Sequence, residues 1–199
     1  MKKIAIFASG NGSNAENIIN HFAGSQQVEI ALILCNNSKA YVIERAKNHR
    51  IPCMIFKSKE LRETPVVLNK LKELNIDFIV LAGFLLLIPT AIIRAFHNRI
   101  INIHPALLPK YGGKGMYGGF VHEAVRNSGD TETGISIHFV NEKYDAGAVI
   151  FQARCPVTPE DTAETIAHKV HQLEYRYFPE IIEKVIAGKA GRPSASSVL

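Results

Sequence analysis

Tryptophan is absent from the 199-residue chain, and cysteine occurs only three times, as Cys35, Cys53 and Cys155. The three are widely spaced and include no CxxC pair. That excludes a disulfide framework and reads as reduced thiols in a cytosolic protein. Long hydrophobic runs are missing too: the longest, around Phe78 to Pro89, is broken by Gly83, well short of the roughly eighteen apolar residues of a spanning helix. The apolar run in MKKIAIFASG is too short for a secretory signal and has the look of a first β-strand. No block of Lys or Arg occurs, and a net charge of +5 fits an anionic small substrate as well as nucleic acid. The histidines show no ligand spacing and no HExxH, so no metal site is expected. A soluble, cytoplasmic protein is the expectation.

What is present is an ordinary globular composition, 47% hydrophobic, at a length that suggests one domain, with two small ones possible. Strand and helix signals alternate from the start. Lys3–Ala8, Val28–Cys35, Cys53–Phe56, Phe78–Ala82 and Ile100–His104 read as strands. Between them, helices are expected from Asn14, over Lys39–His49 with Ser38 as N-cap, over Thr64–Leu74 with Pro65 in its first turn, and over Pro89–Phe96. The alternation argues for a parallel sheet with right-handed crossovers.

After Pro105 the texture changes. Tyr111–Gly119 has five glycines in nine residues and reads as a flexible loop. A short helix at Val121–Arg126 follows, then strands Gly134–Val140 and Ala148–Cys155 as a late hairpin. A long amphipathic helix spans Asp161–Ile186, bent before Pro179. Residues 1–188 are read as the domain and 189–199 as a flexible tail.

Three constellations carry chemistry. Gly10-Asn11-Gly12-Ser13-Asn14 follows the first strand and opens a helix, which suits an anion: glycines admit close approach, and free N–H groups meet the helix dipole. With Ala15 the loop even satisfies the loose dinucleotide fingerprint. The acidic residue that fingerprint wants at the end of strand two is replaced by Cys35-Asn36-Asn37, so a single phosphate group is favoured. The alternative is a tight turn and helix start with no ligand.

The second constellation is Asn102-x-His104. Residues i and i+2 share a strand face, so an amide and an imidazole look the same way while Ile101 and Ile103 face the opposite layer. The third is the loop Asn141–Gly147. A carboxylate there, Asp145, placed near His104 would favour the imidazolium and raise the His pKa. His138 reads as structural or supporting.

Ser9-Gly10-Asn11-Gly12-Ser13-Asn14, Val80-Leu81-Ala82-Gly83-Phe84, Asn102-Ile103-His104-Pro105 with Leu107-Leu108-Pro109, and the Asp145 loop occur in this order. Together they resemble the phosphoribosylglycinamide formyltransferases, folate-dependent enzymes of purine synthesis, over nearly the whole chain to about Gly188. The resemblance implies a formyltransferase fold: α/β, a Rossmann-like, mostly parallel twisted sheet with flanking helices, a late antiparallel hairpin and a long C-terminal helix. It also implies formyl transfer from 10-formyltetrahydrofolate, the co-substrate, to the amine of glycinamide ribonucleotide, with no metal.

Carried over, Asn102, His104 and Asp145 are the catalytic trio. Gly12, Ser13, Asn14 and Glu174 bind glycinamide ribonucleotide. Arg62, Leu85, Leu86, Leu87, Ile88, Asn102, Asn141 and Asp145 line the folate site. Small molecules are the expected partners, without nucleic acid or membrane, and the state is a monomer or weak homodimer.

The chain departs from that pattern in three places. Leu86 stands where many relatives have Arg, the Gly112–Gly119 loop is longer and is a candidate lid, and His171 and Tyr175 stand where relatives often have Lys and His. Methionyl-tRNA formyltransferase and formyltetrahydrofolate deformylase share the Asn-x-His strand. The first would add a C-terminal tRNA-binding domain for which the chain has no room, and the second an N-terminal regulatory domain, whereas the first strand here starts at Lys3. An RNA-binding module would cluster its basic residues with exposed aromatics, and a scaffold would be expected to lose part of the trio.

Overall fold

A computed structural model describes residues 1–190, so the expected tail lies, from residue 191 onward, outside the described residues. The chain divides into two compact units, Met1–Ile101 and a second beginning at Asn102.

The first unit is built on buried apolar strands. β1 (Lys2–Ala8), β2 (Val28–Cys35), β3 (Cys53–Ile55) and β4 (Phe78–Leu81) run parallel. Phe78 pairs with Ile4, Ala8 with Cys35, and Ile33 with Cys53. Ile4 through Ala8 are 0% exposed, as a strand covered on both faces must be. The first residues of β5 (Ile100–His104) extend the order to β3-β2-β1-β4-β5.

The helices of this unit bury stripes at helical spacing. α1 (Ser13–His21) buries Ala15, Ile18 and Ile19, and α4 (Val66–Glu73) buries Val67 and Leu71. Each such Ile or Leu contributes about 1.5–3 kcal/mol by leaving water.

Two expectations are corrected here. α2 begins at Val42 and ends at Asn48, not at Lys39, and Ser38 does not cap it. Instead the Asn37 side chain accepts from the Lys39 N–H at 3.0 Å and the Asn37 carbonyl from the Ala40 N–H at 3.1 Å. That local turn competes with the helix for its first backbone groups. A helix without a strong apolar signal, α3 (Ser58–Glu63), also precedes α4. Pro65 takes the N-cap position of α4, and α5 (Thr90–Ala95) follows Pro89.

The second unit takes up β5 at Asn102 and adds α6 (Gly119–Ser128), β6 (Glu132–Phe139), β7 (Val149–Pro156) and α7 (Ala163–Ile186). Its strand order is β5-β6-β7, and the last pair is the expected antiparallel hairpin, Glu132 opposite Pro156. α6 starts at Gly119, two residues before the expected boundary.

Buried Ser136 ties the turn after β5 to the hairpin. Its hydroxyl donates to the Ala106 carbonyl at 2.7 Å and accepts from the Leu108 N–H at 2.9 Å and Gln152 Nε2 at 2.8 Å. α7 opens with a Thr162/Thr165 capping box. Ile166, Val170, Glu174 and Phe178 recur every four residues along its buried ridge, so Glu174 is a carboxylate set in an apolar seam.

Candidate active site

In the first unit, the glycine loop turns between β1 and α1. Gly12 sits at the N-cap of α1 with φ 77° and no side-chain cap, so the loop leads straight into the positive end of the helix dipole. A Cβ on Gly12 would lie 2.5 Å from Val42 Cγ2, so both the conformation and the space demand glycine. Ser13 and Asn14 are the first two residues of α1, half-buried.

Arg45 on α2 holds this loop from outside. Its Nε donates to the Asn11 carbonyl at 2.9 Å, one terminal nitrogen to Asn11 Oδ1 at 2.8 Å, and the other pairs with Glu16. The Val42 N–H donates to the Gly10 carbonyl at 3.2 Å. Sequence reading missed Arg45; nothing in a lone helical arginine signals a distant loop.

The expected folate segment lies in the same unit. Ser9 Oγ donates to Asn36 Oδ1 at 2.6 Å and accepts from the Leu85 N–H at 3.0 Å, joining the base of the glycine loop to the segment after β4. Leu85 and Leu87 are 45% and 40% exposed, Leu86 is half-buried and Ile88 is buried. Arg62 is exposed in the last turn of α3.

In the second unit the three expected catalytic side chains converge. Asn102 and His104 share a face of β5. His104 Nδ1 lies 3.6 Å from Asp145 Oδ2, and Asn102 Nδ2 donates to Asp145 Oδ1 at 3.4 Å. His138, on β6, completes the group: its Nε2 is 3.2 Å from Asn102 Nδ2 and 3.6 Å from Asp145 Oδ1. The side chains of His104 and Asp145 are 4% and 11% exposed.

The backbone of residues 111–113 grips both members of the His–Asp pair. His104 Nε2 donates to the Tyr111 carbonyl at 2.7 Å, and the Gly113 N–H donates to Asp145 Oδ2 at 2.9 Å. Gly112 between them passes so close that a Cβ would lie 2.6 Å from Leu108 Cδ2 and 3.3 Å from Asp145 Cβ. Asn141 braces the other loop, with Nδ2 donating to the Ala146 carbonyl at 3.1 Å and Oδ1 accepting from the Lys143 N–H at 3.0 Å.

The expectation that Asp145 raises the His104 pKa is half right. Burial pushes the imidazole down and outweighs the upward pull of Asp145 and of the Tyr111 carbonyl, so the net shift is downward. Asp145 goes the other way round. Burial pushes its carboxyl up, but His138, the charge of His104 and the Gly113 N–H together hold it below the ordinary carboxylate value. Asp145 is thus the charged member of the pair over the widest pH range.

Glu174 is buried on α7, and His171 and Tyr175, one helical turn apart on the same helix, stack with ring centroids 6.2 Å apart. Among the described residues there is no group of three or more His, Cys, Asp or Glu placed to hold a metal. Among the same residues no helix is long and apolar enough to cross a membrane.

A strand-borne Asn and His thus face a loop carboxylate in the second unit, and a glycine loop follows the first strand in the first. The chain belongs to the formyl transferase family, whose model matches residues 2–182. Among its relatives, the phosphoribosylglycinamide formyltransferase of Bacillus subtilis is 36% identical, over 94% of this chain and 95% of that protein. The chloroplastic phosphoribosylglycinamide formyltransferase of Vigna unguiculata is 40% identical over 98% of this chain, which spans 66% of the plant protein's length. The crystal structure of the phosphoribosylglycinamide formyltransferase of Bacillus halodurans superposes with a TM-score of 0.84 at 36% identity, covering 94% of this chain and 96% of that one. The expected fold is thereby borne out, parallel strands, late hairpin, long C-terminal helix and all.

Proposed function

We propose that this protein transfers the formyl group of 10-formyltetrahydrofolate to the amine of N1-(5-phospho-ribosyl)glycinamide, giving the N-formyl product and tetrahydrofolate in de novo purine synthesis. The observation that carries the reading is Asn102 and His104 on one strand face, with Asp145 at 3.4 Å and 3.6 Å from them. Relatives bearing the corresponding name support it over nearly their full length.

In this reading the amine lone pair attacks the formyl carbon and the carbonyl π pair moves to oxygen. The Asn102 amide donates to that oxyanion, joined by the Nδ1–H of the His104 imidazolium, whose Nε2–H stays on the Tyr111 carbonyl. The 3.4 Å bond from Asn102 to Asp145 is the long one of its two, and the one the oxyanion displaces. Collapse re-forms the carbonyl and breaks the bond to the folate nitrogen. The amine loses one proton and the departing nitrogen gains one, with His104 as carrier and Asp145 as the fixed charge that stabilises it. Holding two substrates in register supplies much of the rest.

Gly12, Ser13 and Asn14 hold the ribonucleotide phosphate and Glu174 its glycinamide end. Arg62, Leu85, Leu86, Leu87 and Ile88 receive the folate together with Asn102, Asn141 and Asp145; the exposed leucines and the paired Leu85 amide suit an apolar, main-chain contact there. Residues 1–188 act as one catalytic domain, supported by a family match running through both units. The dispersed charges support small-molecule partners without nucleic acid or membrane, and the three free cysteines support a cytoplasmic setting. A monomer or weak homodimer belongs to the same reading, and sedimentation velocity checks it.

The deciding experiment follows formyl-folate consumption spectrophotometrically, with and without glycinamide ribonucleotide. Turnover only in the presence of the amine, lost in His104→Ala, supports the proposal. Turnover with water alone makes the protein a deformylase, and silence in both arms overturns the reading.

A further inference from the structure

Tyr111 stands out in the second unit because it does two unrelated things at once. Its main-chain carbonyl is the acceptor for His104 Nε2 at 2.7 Å. Its phenol reaches the far end of α6, where the hydroxyl hydrogen is shared between Ser128 Oγ at 2.6 Å and Asp130 Oδ2 at 2.7 Å. Ser128 is free to accept because its own hydroxyl donates to the Val125 carbonyl at 2.7 Å. Lys110 adds a second tie to the same carboxylate, with Nζ 3.0 Å and 3.1 Å from the two oxygens of Asp130.

The backbone between these ties is not at rest. Tyr111 has φ 55°, a left-handed conformation that a residue with a bulky side chain adopts only when its surroundings impose it. Two residues on, Gly113 donates to Asp145. The same strained segment therefore sets the imidazole and the carboxylate together, and the tyrosine phenol tethers it to the end of α6.

We propose that the Tyr111–Asp130 latch, with Ser128, is a positioning device for the reaction: it fixes the 111–113 backbone so that the Tyr111 carbonyl and the Gly113 N–H lock His104 and Asp145 in their working orientation. This rests on the formyl-transfer reading for its consequence, though the latch itself is a feature of the free protein. With the Tyr111 carbonyl in place, the His104 proton sits on Nε2 in the neutral ring, and Nδ1 faces Asp145. Without it, the ring is released to rotate and to populate the other tautomer.

The test is a pair of substitutions far from the reacting atoms, Tyr111→Phe and Asp130→Asn, read in two ways. Steady-state kinetics should show kcat down about tenfold in each with KM for both substrates within about twofold, the mark of lost alignment and not lost binding. Two-bond 1H–15N NMR of the free protein should show the His104 ring passing from a single Nε2–H tautomer to a mixture. The other titratable groups around that ring, Asp145, His138 and His122, are left in place by both substitutions. If the His104 signals and kcat are unchanged in a Tyr111→Phe protein that keeps its thermal midpoint, the latch is overturned. Should Tyr111→Phe fold poorly, Ser128→Ala and Asp130→Asn carry the same two readouts. Absence of turnover by the wild type would defeat the functional reading alone, since the NMR arm still reports on the latch.

Discussion

His138 Nδ1 donates to the carbonyl of its own neighbour Phe139 at 2.8 Å, which turns the Nε2 lone pair toward Asn102 Nδ2 at 3.2 Å. The Asn102 amide is thereby oriented by a histidine that makes no contact of its own with a reacting atom in the proposed mechanism. Replacing His138 with Phe, similar in size but without the acceptor, should release the amide and lower kcat by about tenfold, with substrate KM values little changed. Steady-state kinetics on the purified variant checks it, and a KM-only effect would place His138 in substrate binding instead.

Asp145→Asn keeps the shape of the site and removes its charge. Asp145 pulls the His104 pKa up against burial, so its loss must move that pKa further down and make the imidazolium rarer at any given pH. Turnover should fall about 100-fold or more, with a smaller change in KM. The companion measurement is an NMR titration of His104: a midpoint that stays put or rises in the variant contradicts the role given to the carboxylate.

Mild acid should already destabilise the fold, through its buried histidines. His122, buried on α6, has its pKa pushed down from 6.5 to about 4, first by burial and then by the nearby charges of His171 and His104. His104 and His171 are also shifted down, both chiefly by burial. A histidine whose folded pKa is depressed supports the fold above its unfolded value and withdraws that support as pH falls through the folded one. The loss should therefore run from about pH 6.5 to about pH 4, and His122 alone accounts for something on the order of 2 kcal/mol. Urea midpoints across that range in wild type and His122→Phe measure it; equal slopes in the two proteins would remove His122 from the account.

Ser13→Ala and Asn14→Ala should raise KM for the ribonucleotide severalfold while leaving formyl-folate unaffected. Arg45→Ala should do the same from outside the site, because it removes the hydrogen bonds that shape Asn11. Isothermal titration with each substrate separately checks all three. An effect confined to the folate would contradict the phosphate assignment.

The strands and the shared face of Asn102 and His104 were legible because their signals are local, whereas Asp145 was set beside them by the family resemblance. VEIALILC and FIVLA are continuous apolar runs, and Asn102 and His104 advertise a shared face by spacing alone. The devices that hold the trio were not legible, for a physical reason. The partner of His104 Nε2 is a main-chain carbonyl, which any residue at position 111 would supply, and the partner of Asp145 is the N–H of Gly113. Asn102 and His138 are 36 positions apart, and Arg45 and Asn11 are 34 apart. Periodicity carries no information at such distances. The late start of α2 was missed because Asn37 spends its side chain and carbonyl on a turn, a contest that residue preference alone does not decide. The sign of the His104 shift needed the degree of burial, which sequence does not state.

Arg45 and Val42 hold the glycine loop by its main chain, and Gly12 fits against Val42 with no room to spare. A loop so restrained has few shapes left to lose when a ligand arrives. The phosphate should then be captured in one kinetic step: in stopped-flow mixing, a single exponential whose rate climbs linearly with ligand, with no slow phase for a rearranging cradle.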